Sequence, residues 1–401
     1  MGKGPGPSTL ERLFVANGAQ TTSPEPDSKS TLTRFDIKTH TPTTPIKRSE
    51  RSAEGAVTLQ ISAYKNSVYV PNFGLNPELG PGKTIDVFNA STGVRQKTWE
   101  TSAKLPSSLA AYKDNVYVPN LQFNDSNDYI GTIVDVFDVS TGNGGTATKT
   151  WKLTGVGQLY GVAAYQDKIY VTSNLVCDTN DQLISSGLVE VFSTTTPNDA
   201  GPEKLWRTSE FLPIGIAAFN DKIYVGNTSN DNEIGDFSFF GNSKNIDVFD
   251  INQANDTTPE KTWETSEFCP LSLAAYKGKI YAGNTVQSLN DTDPVLSKNV
   301  DVFDVDQNDG QGPEKTWTVS DIFPVGISAY DDKIYVCNVG GLGESGNDAS
   351  NKVDIFPVDA PNGSTPSETW TTDYGPTGSA AYNSEYPEGN LYIDASGSNV
   401  V

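Results

Sequence analysis

Leu212-Pro213-Ile214-Gly215-Ile216-Ala217-Ala218-Phe219-Asn220-Asp221-Lys222-Ile223-Tyr224-Val225-Gly226-Asn227 reads as a hairpin. The apolar runs 216–219 and 223–225 have strand character, and the polar pair Asn220-Asp221 between them has the chemistry of a two-residue turn. Close copies recur along the chain. The first-strand aromatic stands at Tyr64, Tyr112, Tyr165, Phe219, Tyr276, Tyr330 and Tyr382, 48 to 57 residues apart. The second-strand tyrosine stands at Tyr69, Tyr117, Tyr170, Tyr224, Tyr281, Tyr335 and Tyr392.

A third strand follows each hairpin after a loop, as Ile85-Asp86-Val87-Phe88, Val134-Asp135-Val136-Phe137, Val189-Glu190-Val191-Phe192, Ile246-Asp247-Val248-Phe249, Val300-Asp301-Val302-Phe303 and Val353-Asp354-Ile355-Phe356. A fourth carries Trp99, Trp151, Trp206, Trp263, Trp317 or Trp370, which accounts for all six tryptophans of the chain. Four strands per period of about 50 residues, without helices, predict an all-β fold: a seven-bladed β-propeller of four-stranded antiparallel blades. Six blades are complete, starting near Ile61, Leu109, Val162, Ile216, Leu273 and Ile327. The seventh must join Ala380 to Tyr382 with strands from residues 13–50, so that the N- and C-terminal strands close the ring. Leu13-Phe14-Val15 and Leu391-Tyr392-Ile393 compete for its second position. Residues 1–12 read as a flexible Gly/Pro-rich tail and 13–401 as one propeller domain.

The pattern Pro-x-Gly-Ile-Ala-Ala followed by Asp-Lys-Ile-Tyr-Val-Gly-Asn, at Pro213 to Asn227 and more loosely at Pro270 to Asn284 and Pro324 to Asn338, resembles the YVTN-type propeller repeat. That repeat overlaps with lactonase-like and quinoprotein-like propellers, and the later Phe and Trp resemble the kelch arrangement. The resemblance spans nearly the whole chain and implies architecture; enzymes, surface-layer proteins and binding scaffolds share it.

The 401 residues carry 50 acidic against 28 basic side chains, a formal charge of -22. Such a surface disfavours nucleic acid and anionic membranes, which require clustered Lys and Arg. Cys177, Cys269 and Cys337 occupy unrelated repeat positions and read as free thiols rather than a disulfide framework. No apolar signal-like region or membrane-length segment is present, which slightly favours a cytoplasmic location over the alternative of a secreted, mature chain whose signal was replaced by Met1. With His40 as the single histidine, multi-histidine metal sites and haem ligation are excluded. No P-loop, nucleophile elbow or dinucleotide fingerprint has a helix to complete it.

Candidate sites follow the repeat. Asn72, Asn120, Asn227, Asn284 and Asn338 close the second strand, with Asn17 and Ser173 in matching places. Each amide either stabilises the turn leaving the strand or joins a ligand-facing ring. The tryptophans either seal blade interfaces or form sugar-stacking platforms. Asp125, Asp128, Asp178, Asp181, Asp231, Asp236, Asp291 and Asp293 lie in loops expected on the axial face and offer the hard oxygen ligands of calcium, although no complete calcium-loop spacing occurs. The third-strand acids need partners if buried, and Lys97, Lys149, Lys204, Lys261 and Lys315 are candidates.

From this inventory the expected function is non-catalytic, lectin-like binding of a small molecule or glycan by a monomer, with the Asn and Trp sets as ligand-binding residues. The alternatives are a lactonase- or lyase-like enzyme with one axial site lined by acidic loops such as Asp231, Glu233 and Asp236, and a structural or protein-interaction scaffold.

Overall fold

The computed structural model describes residues 10–17, 31–39, 41–42, 46–47, 60–72, 75–76, 80–124, 129–155, 161–173, 187–229, 242–288, 295–340, 349–372, 375–383, 392–393 and 399–400. Their strands form seven antiparallel blades, and no described segment is helical. Blades 1 to 6 occupy residues 62–100, 110–152, 162–207, 211–264, 268–318 and 324–371. Within each, chain order equals spatial order from the innermost strand outward. No described helix is long and apolar enough to cross a membrane.

Blade 7 joins the two ends of the chain. Pro376–Asn383 is its inner strand, and Glu11–Asn17 pairs with it as the second strand through Phe14↔Ala380 and Leu13↔Ala381. Thr31–Asp36 is the third strand, with the short segments Thr41–Pro42 and Ile46–Lys47 outside it. Leu13-Phe14-Val15 therefore takes the contested position. Tyr392–Ile393 instead pairs with Asn399–Val400 in a separate two-stranded ribbon.

The hairpins follow from turn chemistry. Asn220 and Asp221 have φ of 48° and 59°, and the pairs Lys65-Asn66, Lys113-Asp114, Gln166-Asp167 and Asp331-Asp332 repeat this left-handed pair of conformations. Two consecutive positive φ values match the right-handed twist of the flanking strands. The first-strand tyrosines tie neighbouring hairpins together: Tyr64 accepts a hydrogen bond from the Asp114 amide at 3.1 Å, and Tyr276 accepts one from Asp332 at 3.1 Å.

Six of the seven blade interfaces carry aromatic triplets. In blade 4, Tyr224 lies 5.5 Å from Trp263, which stacks on Phe303 of blade 5 at 5.4 Å with planes 8° apart. Tyr69-Trp99-Phe137, Tyr117-Trp151-Phe192, Tyr170-Trp206-Phe249 and Tyr281-Trp317-Phe356 repeat it. Tyr335 and Trp370 complete it on Phe35 of blade 7. Each Tyr and Trp shares one blade, and each Phe belongs to the next, so the stack is the bond between blades. Burial of such rings outside water, with offset stacking added, is the main favourable term at the interface.

Candidate functional site at the propeller axis

The repeated residues resolve into structural roles. Trp99, Trp151, Trp206, Trp263 and Trp317 are wholly buried, and Trp370 is 5 % exposed. No ring face is open to a sugar, because one side carries the blade's own Tyr and the other the next blade's Phe.

Asn120, Asn227, Asn284 and Asn338 are also fully buried and face acids rather than a ligand. Asn227 Nδ2 donates to Asp247 at 2.8 Å, Asn284 to Asp301 at 2.7 Å, Asn338 to Asp354 at 2.8 Å and Asn120 to Asp135 at 3.0 Å. Asn72 donates to the Thr84 hydroxyl at 2.8 Å. In blade 7, which has Thr33 at the acid's position, Asn17 donates to Thr31 at 2.9 Å and to Thr33 at 2.7 Å.

The acids bind the preceding blade. Asp301 accepts from the Ser266 amide at 2.7 Å and hydroxyl at 2.8 Å, and from Thr316 of its own fourth strand at 2.7 Å. Ser209 and Thr262 serve Asp247 likewise, and Ser320 and Thr369 serve Asp354. With the asparagine, four donors saturate a charge that would otherwise be costly to bury.

The lysines are not the partners. Strand alternation sets Lys97 beside Trp99 and Thr98 opposite Asp86. Lys97, Lys204, Lys261 and Lys315 accordingly donate to backbone carbonyls of the next blade's turn, at Thr141, Gln253, Gln307 and Ala360. Arg95, 3.9 Å from Asp86, is the only cationic side chain within 4 Å of a third-strand acid among the described residues.

Burial without a cation raises several of these acids: Asp135 is pushed up to about 6, opposed by the Ser102 hydrogen bonds. Glu190 and Asp247 are raised by the same cause.

The serines and threonines that bind the acids went unread in the sequence. Their signal is regular: Ser102, Thr154, Ser209, Ser266 and Ser320 each stand three residues after a tryptophan.

What remains available for chemistry is the axis. A cavity of about 150 Å³ is lined by the inner strands of blades 4 to 7, including Ile216, Ala217, Leu273, Ile327 and Ser328, and by Gln60 and Ile61 of blade 1 and Gly161 of blade 3, the blades that flank them. The Pro-x-Gly-Ile-Ala-Ala segment thus lines the channel. Each inner strand is the edge of its sheet. Alternate N–H and C=O groups therefore point to the axis, giving an aliphatic wall a polar backbone.

Hydroxyls break that wall on one side. Ser379 takes the position held by Ile61, Leu109, Val162, Ile216, Leu273 and Ile327 in the other blades, and its Oγ lies 2.8 Å from that of Ser328. The buried Ser272 hydroxyl, also in the lining, has no protein partner. No Lys, Arg or His lines the cavity among the described residues. Cys337 behind Ser379 is fully buried, and burial pushes its thiol up to about 12, so it is not a nucleophile.

Two half-buried carboxylates stand on the chain just before the lining strands. Glu210 is bonded by the Ser243 hydroxyl and Glu267 by the Ser297 hydroxyl, and burial raises both acids above the usual carboxylate range. The corners that follow are strained. Leu212, Cys269 and Phe323, each before a proline, have φ of 51°, 61° and 65°, a conformation bulky residues rarely take.

The proposed calcium ligands Asp125, Asp128, Asp178, Asp181, Asp231, Asp236, Asp291 and Asp293 lie outside the described residues, as does Glu233. Among the described residues no group of three His, Cys, Asp or Glu side chains could hold a metal.

No family model and no curated protein sequence matches the chain. Solved structures do. A Bacteroides uniformis protein provisionally named a 6-phosphogluconolactonase superposes with a TM-score of 0.57 at 13% identity, covering 93% of this chain and 99% of its own. A Bacteroides fragilis protein with the same provisional name gives 0.56 at 13%, covering 92% and 98%. Apo AztD from Citrobacter koseri gives 0.53 at 10%, covering 94% and 98%. The likeness is one of fold.

These findings correct the expected lectin-like function. The tryptophans and asparagines on which it stood are internal to the blades and their interfaces, and two proteins that share the fold carry a provisional lactonase name.

Proposed function

We propose that the chain is a lactonase-like enzyme whose substrate, a small unphosphorylated lactone, enters the axial cavity. The observation that carries this reading is the cavity itself: one small chamber among blades 4 to 7 where inner-strand backbone groups and the Ser272, Ser328 and Ser379 hydroxyls interrupt an aliphatic lining. The two provisionally named 6-phosphogluconolactonases, which share the seven-bladed frame over almost their whole length, supply the reaction class.

Size and charge narrow the substrate. About 150 Å³ is the scale of cavity that accepts a single six-membered ring. A guanidinium or ammonium partner would favour a phosphate, and the described lining offers none within a chain of net charge -22, so an unphosphorylated ring suits it better. Hydrolysis would place backbone N–H or serine hydroxyl donors on the carbonyl oxygen as water adds to the carbonyl carbon.

The test is a panel of five- and six-membered lactones with and without a phosphate, followed by pH-stat titration of the released acid. Turnover of unphosphorylated rings, lost when Ile216→Phe fills the cavity, supports the reading. No turnover of any lactone overturns it. The buried free thiols Cys269 and Cys337 support a reducing, cytoplasmic location.

A further inference from the structure

One lining residue breaks the repeat. Strand register places Gln60, Ser108, Gly161, Gly215, Ser272, Gly326 and Gly378 at one level of the seven inner strands. Six are glycine or serine, for a steric reason. A Cβ on Gly161 would meet the Ile214 carbonyl at 2.1 Å, and one on Gly215 the Leu271 carbonyl at 2.9 Å, because the next blade's strand crosses there. Only blade 1 carries a long side chain at this level.

Gln60 uses that length to reach past blade 2. Its Nε2 donates to the Val162 carbonyl of blade 3 at 3.0 Å, and the Val162 amide donates back to Oε1 at 3.5 Å. Val162 is free to do so because the ladder bonds at that end of blade 3 are made by its neighbours: Thr172 N–H donates to the Gly161 carbonyl and Gly161 N–H to the Thr172 hydroxyl. Gln60 thus mimics an added strand residue on an exposed sheet edge. The lining agrees: among the described residues it includes Gln60 and Ile61 of blade 1 and Gly161 of blade 3, and none of blade 2.

We propose that Gln60 is the size-selecting bolt of the axial cavity: its amide, latched to Val162, closes the side of the channel under blades 1 to 3 and confines ligands to the chamber among blades 4 to 7. The inference rests on the cavity assigned above and not on the reaction, so its test contains no lactone.

Ser328→Cys, in a chain also carrying Cys177→Ser, puts a near-isosteric thiol in the lining while Cys269 and Cys337 stay buried. Its modification is timed with methyl and with benzyl methanethiosulfonate, with Gln60 intact or replaced by Gln60→Ser, the residue blades 2 and 5 use at this level. Release of the latch should speed the benzyl reagent about tenfold and leave the methyl reagent within about twofold, the rate scale of two lost hydrogen bonds. Gln60→Glu keeps the length but removes the Nε2 donor, and should shift the benzyl rate in the same direction. Unchanged benzyl rates in both variants, or equal acceleration of both reagents, would overturn the proposal. Lactone turnover without a size effect here would sink the bolt and leave the enzyme standing; a size effect without turnover would do the reverse.

Discussion

Asn227 and Asp247 meet at 2.8 Å inside blade 4, both completely shielded from solvent, and the same carboxylate accepts from Ser209 in the connection leaving blade 3. One acid therefore fastens its own second strand and the preceding blade at once. Asn227→Ala should lower stability by about 2 kcal/mol, the worth of a buried hydrogen bond to a charged group, read as a fall in the urea midpoint at constant m. A change near zero would mean the carboxylate finds compensation elsewhere.

Blade 3 writes the same contact with different letters. Glu190 is one methylene longer than the other acids, and Ser173, shorter than asparagine, meets it at 2.7 Å. Ser173→Asn and Glu190→Asp should each destabilise, by overfilling and by lost reach, while the double substitution recovers much of the loss. A double-mutant cycle measures the coupling, expected at about 1 kcal/mol or more. Strict additivity would contradict the pairing.

Asp135 gives the fold an unusual pH response. Its native value of about 6 lies above the ordinary 3.8, so the folded state holds a proton that the unfolded chain has released. Stability from this group is present below the unfolded value and falls as pH rises through the window from 3.8 to about 6. The stability advantage of wild type over Asp135→Asn should therefore shrink by on the order of 2–3 kcal/mol between pH 4 and 7. An advantage that grows with pH would reverse the sign.

The aromatic triplets carry stability rather than recognition. Trp263→Ala removes a fully buried ring between Tyr224 and Phe303 and should cost about 3–5 kcal/mol by thermal or chemical unfolding. A substitution that left the melting temperature unchanged would contradict the packing role.

Ring closure depends on the chain's beginning. Deleting residues 1–50 removes Glu11–Asn17 and Thr31–Asp36, exposes the inner strand Pro376–Asn383 and strips Trp370 of Phe35. The melting temperature should fall sharply; an unchanged value would overturn closure by the terminal strands.

The blades were legible in the sequence because each strand position repeats one chemistry: Tyr in the second strand, acid-x-Phe in the third, Trp in the fourth. Which way those residues faced was not. Trp263 suits a sugar platform and an interface equally in sequence; only the Tyr224 and Phe303 planes on either side decide it. Lys261 stands two residues from Trp263 and looked like a partner for Asp247, but alternation sends it to the opposite face, and the quieter Ser209 and Thr262 do that work. The cavity was hidden for another reason. A repeat draws attention to what recurs, whereas Gln60 and Ser379 line the axis as departures from it.

The most direct test of an axial site is hydrolysis of an unphosphorylated six-membered lactone by wild type and by Ile216→Phe, with Trp fluorescence confirming that both are folded. Turnover by wild type and its loss in the folded variant is the predicted result. Equal turnover in both, or none in either, would contradict it.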